Sequence, residues 1–361
     1  MSPEQLSEFI RDVTAKGKRL FPTGEGTKFR PPASSDSETI SSLGLAGIRQ
    51  YDAREFTIKV GAGTSMKEIG QVLSEHDQYL PFDSFLIEQG ATVGGTVASG
   101  GTGSCRLRYG SIKDFILGAS WLDGEGKWIR AGGDVVKNAA GFDLPKFFVG
   151  SCGLFGLLTE ISFKVFPRPH QFATLRIQLK PNEGFTRFQQ TLNQIPMEWD
   201  AVDCDANAVV WLRFGGTEEM IQSYRTTLTE AFGSWDLESL RNQDEAEYWA
   251  NINNAAWTGN AKWIFKIPIT NRLVDPLSHD LAEQNFSRFR FVAAGDLLLV
   301  ALDTDNEIHA LSDFLRMRQL SGQRLKGELS PWLIGKPVGF GFLERVKSAM
   351  DPTSVYGELA S

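Results

Sequence analysis

The sequence predicts an α+β protein of two domains, one over residues 1–169 and a second over residues 170–361. Three observations lead there. Up to residue 87 the patterns run helix, strand, turn, strand, helix, strand, the order of a layered α+β unit. The stretch Glu88 to Gly103 follows directly and carries six glycines in sixteen residues, with Thr92, Thr96, Ser99 and Thr102 between them. After Pro169 the texture changes to two successive strand-helix-strand-helix sets, which suggest an antiparallel sheet covered by helices on one side.

Ser2-Pro3-Glu4-Gln5 reads as a helix start, with Ser at the cap and Pro at the first helical position. Leu6, Phe9, Ile10 and Val13 give that helix one apolar face, and Gly17 ends it. Arg19-Leu20-Phe21 is a short strand entering the turn Pro22-Thr23-Gly24-Glu25-Gly26-Thr27-Lys28, which has the makings of a small anion cradle or of an ordinary surface turn. Residues 31–47, rich in Pro, Ser and Gly, read as a loop. Phe56, Ile58 and Val60 alternate as a half-buried strand, and Ser65 with Glu68 opens a helix buried through Met66, Ile69, Val72 and Leu73.

The Glu88–Gly103 stretch has too little side-chain bulk to be a packed element. Its small residues let a backbone approach a ligand closely, and a run of N–H groups and hydroxyls suits a phosphate or diphosphate. Ala91, Val93, Val97 and Ala98 make it half apolar, unlike a flexible Gly/Ser linker. Phe115 to Leu122 is then a buried strand, Asp123-Gly124 a hairpin turn and Trp128 to Ala131 its return. A third glycine cluster runs from Val135 through Gly141-Phe142-Asp143-Leu144 to Gly150, Gly153 and Gly156, and the strand Ile161 to Val165 ends at Pro167 and Pro169.

In the second half, Leu175, Ile177 and Leu179 mark a strand, Phe185, Phe188, Leu192 and Ile195 a helix, Val209 to Phe214 a strand, and Met220, Tyr224 and Leu228 a helix. The theme repeats with Trp263 to Ile267, a helix opened by Asp275, a hairpin of Phe289 to Ala293 with Leu297 to Leu302, and a helix through Ile308, Leu311 and Leu315. A last helix, Leu343 to Met350, precedes Asp351-Pro352.

Composition narrows the function classes. Net charge is −7, and no basic, aromatic-interleaved stripe of the kind nucleic acid requires is present. No apolar run approaches the ~18 residues of a membrane span, and the N-terminus lacks the pattern of a secretory signal. Three cysteines, Cys105, Cys152 and Cys204, form no CxxC pair, which argues against a disulfide framework, a metal site or an iron-sulfur cluster in this chain and for a cytoplasmic setting. The motifs G-x-x-x-x-G-K-[ST], G-x-G-x-x-G after a strand, G-x-S-x-G and H-E-x-x-H are all missing. The four histidines, His76, His170, His279 and His309, are scattered and read as surface residues.

Three segments together carry a resemblance: Pro22 to Thr27; Gly90 to Ala98 with Tyr109-Gly110 and Asp114; and Gly141 to Leu144 running on through Gly150 to Glu160. They resemble the FAD-contact regions of the vanillyl-alcohol oxidase, or PCMH-type, flavoproteins, and within that family the pattern is most like the E subunits of glycolate oxidases. The resemblance implies a two-part FAD-binding domain followed by a cap. It implies non-covalent FAD, because Thr27 stands where covalent members place a histidine. Pro22, Thr23, Gly24, Gly26 and Thr27 would hold the diphosphate from one side, and Gly90, Ala91, Thr92, Val93, Gly94, Gly95, Thr96, Ala98, Ser99 and Gly101 from the other. Ser104, Tyr109 and Gly110 would continue that second wall, and Gly153, Gly156, Leu157 and Leu158 would line the adenine end.

The implied activity is oxidation of glycolate or a related small 2-hydroxy acid to the 2-oxo acid. The implied partners are a homologous FAD subunit and an iron-sulfur subunit of one complex, with any membrane association made through them. The sequence departs from the family at Glu25, in place of a loop glycine, at the cap, which offers no clustered histidine pair, and at Val355-Tyr356-Gly357 in place of Asn-Pro-Gly. Two other readings stay open: a stand-alone 2-hydroxy-acid dehydrogenase that clamps a carboxylate with Arg106 or Arg108, and a structural subunit whose FAD site has decayed.

Overall fold

A computed structural model describes residues 3–30, 36–134, 143–180, 183–233, 235–259, 261–328 and 332–357. Helix α1 (Pro3–Ala15) buries Leu6, Ile10 and Val13, and the chain turns at Gly17 with φ +64°. Arg19–Thr23 then pairs in parallel with Ser37–Ser41. The latter strand and the 3-10 turn Leu43–Leu45 correct the expectation of a loop over 31–47; Ile40 and Leu45 alone bury that segment against α1. Two buried apolar residues among serines are too sparse a pattern to read as a strand.

A five-stranded antiparallel sheet forms the other half of this domain, in the order Ile48–Asp52, Thr57–Gly61, Leu157–Lys164, Ile116–Leu122, Trp128–Gly132. Ile58 and Val60 face its core as expected, but Phe56 does not belong to the strand: it is exposed with φ +55° in the preceding turn. Helix α2 (Met66–Ser74) is capped by Ser65, whose hydroxyl accepts from Glu68 N–H. The hairpin loop is longer than Asp123-Gly124, because Asp123 Oδ1 accepts from the N–H groups of Glu125 and Lys127. Residues 135–142 of the third glycine cluster lie outside the described residues.

The largest change concerns the glycine-rich stretch. Residues Val93–Ser99 form a helix, α3, and Val93, Gly94, Thr96, Val97 and Ser99 are buried in it. Local propensity opposes a helix of this composition. The Thr92 hydroxyl offsets that by capping, accepting from Gly95 N–H at 3.3 Å, and burial of Val93 and Val97 against the sheet supplies the rest.

The second domain is built on a large sheet ordered Asp236–Arg241, Gln171–Gln178, Val209–Gly216, Ala201–Asp205, Phe289–Val292, Leu297–Leu302, Trp263–Pro268, Ser321–Glu328, Leu333–Gly335, with Phe29–Arg30 joining Ser321–Glu328 in parallel. Side chains alternate across it. Trp263, Phe265, Ile267, Leu298, Val300 and Leu302 pack beneath the helices Phe185–Leu192, Glu218–Phe232, Val274–Glu283 and Asp305–Met317. Ile264, Leu297, Leu299 and Leu325 face the other way, against Phe85 and Leu86 of the first domain. One further helix, Asn242–Asn253, shares that opposite face, through Trp249 and Ile252.

After the sheet the chain returns to the first domain. In the helix Phe340–Met350, Lys347 donates to Leu154 O at 2.7 Å and pairs with Asp351; Asp351 accepts from Tyr356 N–H at 2.9 Å, and Tyr356 OH donates to Leu122 O at 2.8 Å.

Candidate functional site

Between the two halves of the first domain lies an open cavity. Three segments far apart in sequence line it: Phe21 to Lys28, the α3 face Thr92, Gly94, Gly95 and Ala98, and Ser151 to Gly153 with Gly156 to Leu158. On α3 the three-to-four spacing of Thr92, Gly95 and Ala98 puts one side along the cavity. Close approach is built into the junction: a Cβ on Gly24 would lie 2.2 Å from Thr92 Oγ1, and one on Gly94 3.0 Å from Ala62 Cβ.

The donors sit where the first loop runs, and not at the start of α3. Val93 N–H goes to Thr64 O, Gly94 N–H to Ala62 O and Gly95 N–H to Thr92 Oγ1, so the helix N-terminus is already satisfied. By contrast, among the described residues the backbone N–H groups of Gly24, Glu25, Gly26 and Thr27 donate to nothing. Ser151 Oγ, also in the wall, is buried without a partner. The N–H groups of half-buried and exposed residues 24–27 are free for a ligand to take in place of water, and the buried Ser151 Oγ is costly to leave without a partner. Four consecutive N–H groups at one end and the apolar Leu157 and Leu158 at the other suit a ligand with an anionic linker and an apolar, planar end. An FAD diphosphate and its attached base meet that description.

Glu25 is exposed, with its Cγ 3.1 Å from where a Cβ on Gly90 would lie, so it leans over Gly90 at the rim.

Two lysines unremarked in the sequence converge on α3. Lys28 is buried with its Nζ 3.4 Å from Thr96 Oγ1. Lys266, on the Trp263–Pro268 strand, donates to Gly100 O at 2.7 Å and to Ser99 O at 3.5 Å, covering the carbonyls that end the helix. Burial pulls each ammonium down to about 8. Lys28 also borders a second, small cavity with room for about one water, between Phe85, Leu86, Ser99 and Gly101 of the first domain and Ala255, Trp257, Ile264, Leu325 and Lys326 of the second.

Of the residues singled out in the sequence, Pro22, Thr23, Gly24, Gly26, Thr27, Thr92, Gly94, Gly95, Ala98, Gly153, Gly156, Leu157 and Leu158 meet at the main cavity, and Ser99 and Gly101 at the second. The others stand elsewhere. Ala91 O accepts from Met66 N–H, Val93 is core, and Thr96 reaches the site only through Lys28. Gly90, at φ +88°, closes a 3-10 turn.

Ser104 and Tyr109 belong to the seam between the domains: Ser104 Oγ donates to Asp203 Oδ2 at 2.6 Å, and Tyr109 OH to Asp200 Oδ1 at 3.1 Å. Gly110 ends the short helix Arg106–Tyr109 beside them. Arg108 is neither a substrate clamp nor a solvated charge, since it pairs with Asp200 at 3.0 Å and Glu198 at 2.6 Å. All four histidines are exposed, and none lines either cavity. Cys152 does line the main cavity; its Sγ accepts from Gln323 Nε2 at 3.4 Å and burial pushes its thiol up to about 11, so at neutral pH it is a thiol and no nucleophile.

Lys28, Lys266, Ser151 and Gln323 were missed in the sequence. A lysine after a glycine turn carries no signal of burial, and the wall that buries Lys28 comes from strands more than two hundred residues away.

Comparison with known proteins finds relatives that bind FAD or oxidise hydroxy acids by name. Residues 1–132 match a family model described as an FAD binding domain. The chain is 34% identical over 225 residues to glycolate oxidase subunit GlcE of Escherichia coli (strain K12), covering 62% of this chain and 63% of that protein. It is 30% identical to glycolate oxidase subunit GlcD of Bacillus subtilis (strain 168), over 54% of this chain and 42% of that one, and 27% identical to a D-lactate dehydrogenase of Archaeoglobus fulgidus, over 48% and 39%. The chain thus spans less than two thirds of each of these relatives. Among solved structures, an alkyldihydroxyacetonephosphate synthase superimposes with a TM-score of 0.67 over 98% of this chain and 74% of its own, at 15% identity, a likeness of fold.

Proposed function

We propose that this chain, whose first 132 residues are an FAD binding domain, is the FAD-holding subunit of a complex that oxidises glycolate or a related small 2-hydroxy acid to the 2-oxo acid. The observation that carries the proposal is the meeting of three separate segments, 21–28, 92–98 and 151–158, on one cavity whose wall includes a run of consecutive backbone N–H groups, Gly24 to Thr27, that donate to nothing among the described residues. The substrate class and the partner subunits come from the names of the relatives, two of which are glycolate oxidase subunits.

FAD, when bound, would supply a two-electron acceptor. The chain's own residues bind and orient it. The N–H groups of residues 24–27 would take the diphosphate, non-covalently, and the absence of side chains at Gly24 and Gly94 lets the loop and α3 pack closely enough against Thr92 and Ala62 to form the wall. Leu157 and Leu158 exclude water from its apolar end. No histidine borders either cavity and Arg108 is committed to Asp200 and Glu198, so neither a histidine base nor the Arg108 clamp acts on a hydroxy acid there. That division fits substrate oxidation on a homologous FAD subunit and onward transfer to an iron-sulfur subunit.

The test is to purify the full chain, reconstitute it with FAD and record its visible spectrum alone and with glycolate or D-lactate. A stoichiometric flavin released by acid, unbleached by either acid until partner subunits are added, is the expected result. A chain that takes up no FAD refutes the reading. Bleaching of the isolated chain by one of the acids would instead assign it a complete active site of its own.

A further inference from the structure

The helix Phe340–Met350 buries one side chain, and that side chain is a cation, Lys347. Its apolar residues are left partly uncovered. Phe342 is 57% exposed, and Val346, one turn further on, is half-buried with Leu343 beside it. With Phe147, 36% exposed, and with Phe155 and Trp332 they line a groove of about 420 Å³. An open apolar surface of this kind, rimmed by polar residues, marks a place where something else sits.

Charge narrows the occupant. Lys113 lines the groove, is exposed and has no carboxylate partner among the described residues. Arg345, whose guanidinium lies 5.9 Å from the centre of the Phe342 ring, has none either. Lys146 is answered by Asp143 at 2.6 Å, and Glu344 is the one acidic residue of the helix. The rim is therefore basic on a chain of net charge −7. In a two-fold dimer this patch would meet its own copy, lysine against lysine, so a partner flanked by carboxylates fits and a second copy does not.

Position narrows it again. Ser151 lines both the groove and the main cavity. Gly150 N–H donates to Val97 O at 3.1 Å and Cys152 N–H to Ala98 O at 2.8 Å, which lays residues 150–152 directly on α3. One thickness of chain thus separates the groove from the cavity read as the FAD site. Electron tunnelling weakens steeply with distance, so this is a place where an electron acceptor gains by docking.

We propose that this groove is the docking surface for the iron-sulfur subunit of the complex, which seats an amphipathic helix there with its apolar face inward and its carboxylates toward Lys113 and Arg345. The inference rests on the FAD-subunit reading above and adds to it the surface by which electrons leave. Two electrons would pass across residues 150–152 to that subunit's clusters, with the proton released to water and FAD left oxidised.

The test uses the full chain loaded with FAD, immobilised, and the purified partner subunits. F342E, F147E and K113E alter exposed side chains, so each should keep the FAD content and Tm of the wild type. Affinity for the iron-sulfur subunit, read by biolayer interferometry, should fall by about tenfold or more for the two phenylalanines. K113E should fall less and should flatten the weakening that added salt produces in the wild type. M220E, at an exposed methionine of the helix Glu218–Phe232, is the control and should bind as the wild type does. Independently, benzoylphenylalanine in place of Phe342 should photo-crosslink to the iron-sulfur subunit. Wild-type chain that holds FAD yet does not bind that subunit overturns the proposal, as does unchanged affinity in F342E and F147E. A crosslink to the homologous FAD subunit or to a second copy of this chain overturns it as well. Chain that takes up no FAD fails the parent reading instead, a result visible before any partner is added.

Discussion

Substitution of Gly24 by Ala tests the architecture of the site at its tightest point. The new methyl would lie 2.2 Å from Thr92 Oγ1 and 3.1 Å from Thr92 Cγ2, well inside contact distance. Thr92 is 3% exposed and caps α3 through Gly95 N–H, so it cannot rotate away without releasing the cap. Losing such a cap costs about 1 kcal/mol, and forcing a methyl into a packed junction costs about 1–3 kcal/mol more. The folded protein should therefore lose about 2–4 kcal/mol, which at roughly 2 °C per kcal/mol for a protein of this size lowers Tm by at least about 4 °C. The alternative escape is for the 24–27 loop to move, which displaces the open N–H groups and weakens FAD at least tenfold. Thermal unfolding of the FAD-free chain and a fluorescence titration with FAD read the two routes. The double variant G24A/T92A removes the clash and should be more stable than the sum of the single effects by about 1–3 kcal/mol. An unchanged Tm together with unchanged affinity in G24A, or strict additivity in the double variant, would refute the geometry argued for this junction.

Gly95→Glu makes the complementary separation. A Cβ there meets only Thr92 Oγ1, at 3.2 Å, so the variant should fold with near-normal Tm yet lose FAD, because a carboxylate then stands in the cavity; a holo-like spectrum would count against the placement. Lys28 also predicts a pH effect on FAD-free protein. Its pKa falls from an ordinary 10.5 to about 8 on folding, so between those values the unfolded chain binds more protons and stability rises with pH. At about 1.4 kcal/mol per pH unit, K28M should exceed wild type at pH 7 by up to about 3 kcal/mol, and the gap should close toward pH 10; a constant gap in urea unfolding across that range would contradict it. Asp275 is a cap contributed from another helix, its carboxylate accepting from Phe185 N–H at 2.7 Å and Thr186 N–H at 3.0 Å. Asp275→Ala should cost about 1–2 kcal/mol with FAD affinity unchanged, and altered FAD binding would mean that the cap domain transmits strain to the site.

What was legible in the sequence follows from where each element draws its stability. Helices α1 and α2 and the helix Asp305–Met317 carry their own apolar stripe, and the last two their own side-chain caps at Ser65 and Thr304, so 3.6-residue periodicity found them. The Glu88–Gly103 stretch has no such stripe, and α3 exists because Thr92 caps it, Val93 and Val97 reach the sheet core, and Lys266 covers its last carbonyls. Two of those three supports are tertiary. Its glycines and threonines did signal a ligand site, for a sound reason, the absence of bulk. The location of the donors was misjudged, because Ala62 O and Thr64 O occupy the N–H groups of Gly94 and Val93. Ser104, Tyr109 and Arg108 looked like site residues because they are polar and follow a glycine run. Their partners, Asp203, Asp200 and Glu198, are about ninety residues further on, and nothing local distinguishes a domain seam from a ligand contact.

The register of the second domain's sheet decides whether the site is complete. Along Trp263–Pro268, Trp263, Phe265 and Ile267 face the helices while Ile264 and Lys266 face α3, and a one-residue slip would exchange the two sets. The apolar demand of Phe265 and Ile267 for the helix-covered core thus fixes Lys266 on the side of α3. The same logic applies on Ser321–Glu328, where Leu325 walls the second cavity and Gln323 reaches Gly150 O and Cys152 Sγ. Lys28 O in turn accepts from Gly327 N–H at 2.8 Å, so the loop that offers the open N–H groups is anchored to the far domain at its last residue. A ligand held by residues 24–27 is therefore positioned by both domains at once. The second domain, which carries no histidine at either cavity, contributes to the candidate site through charge and register.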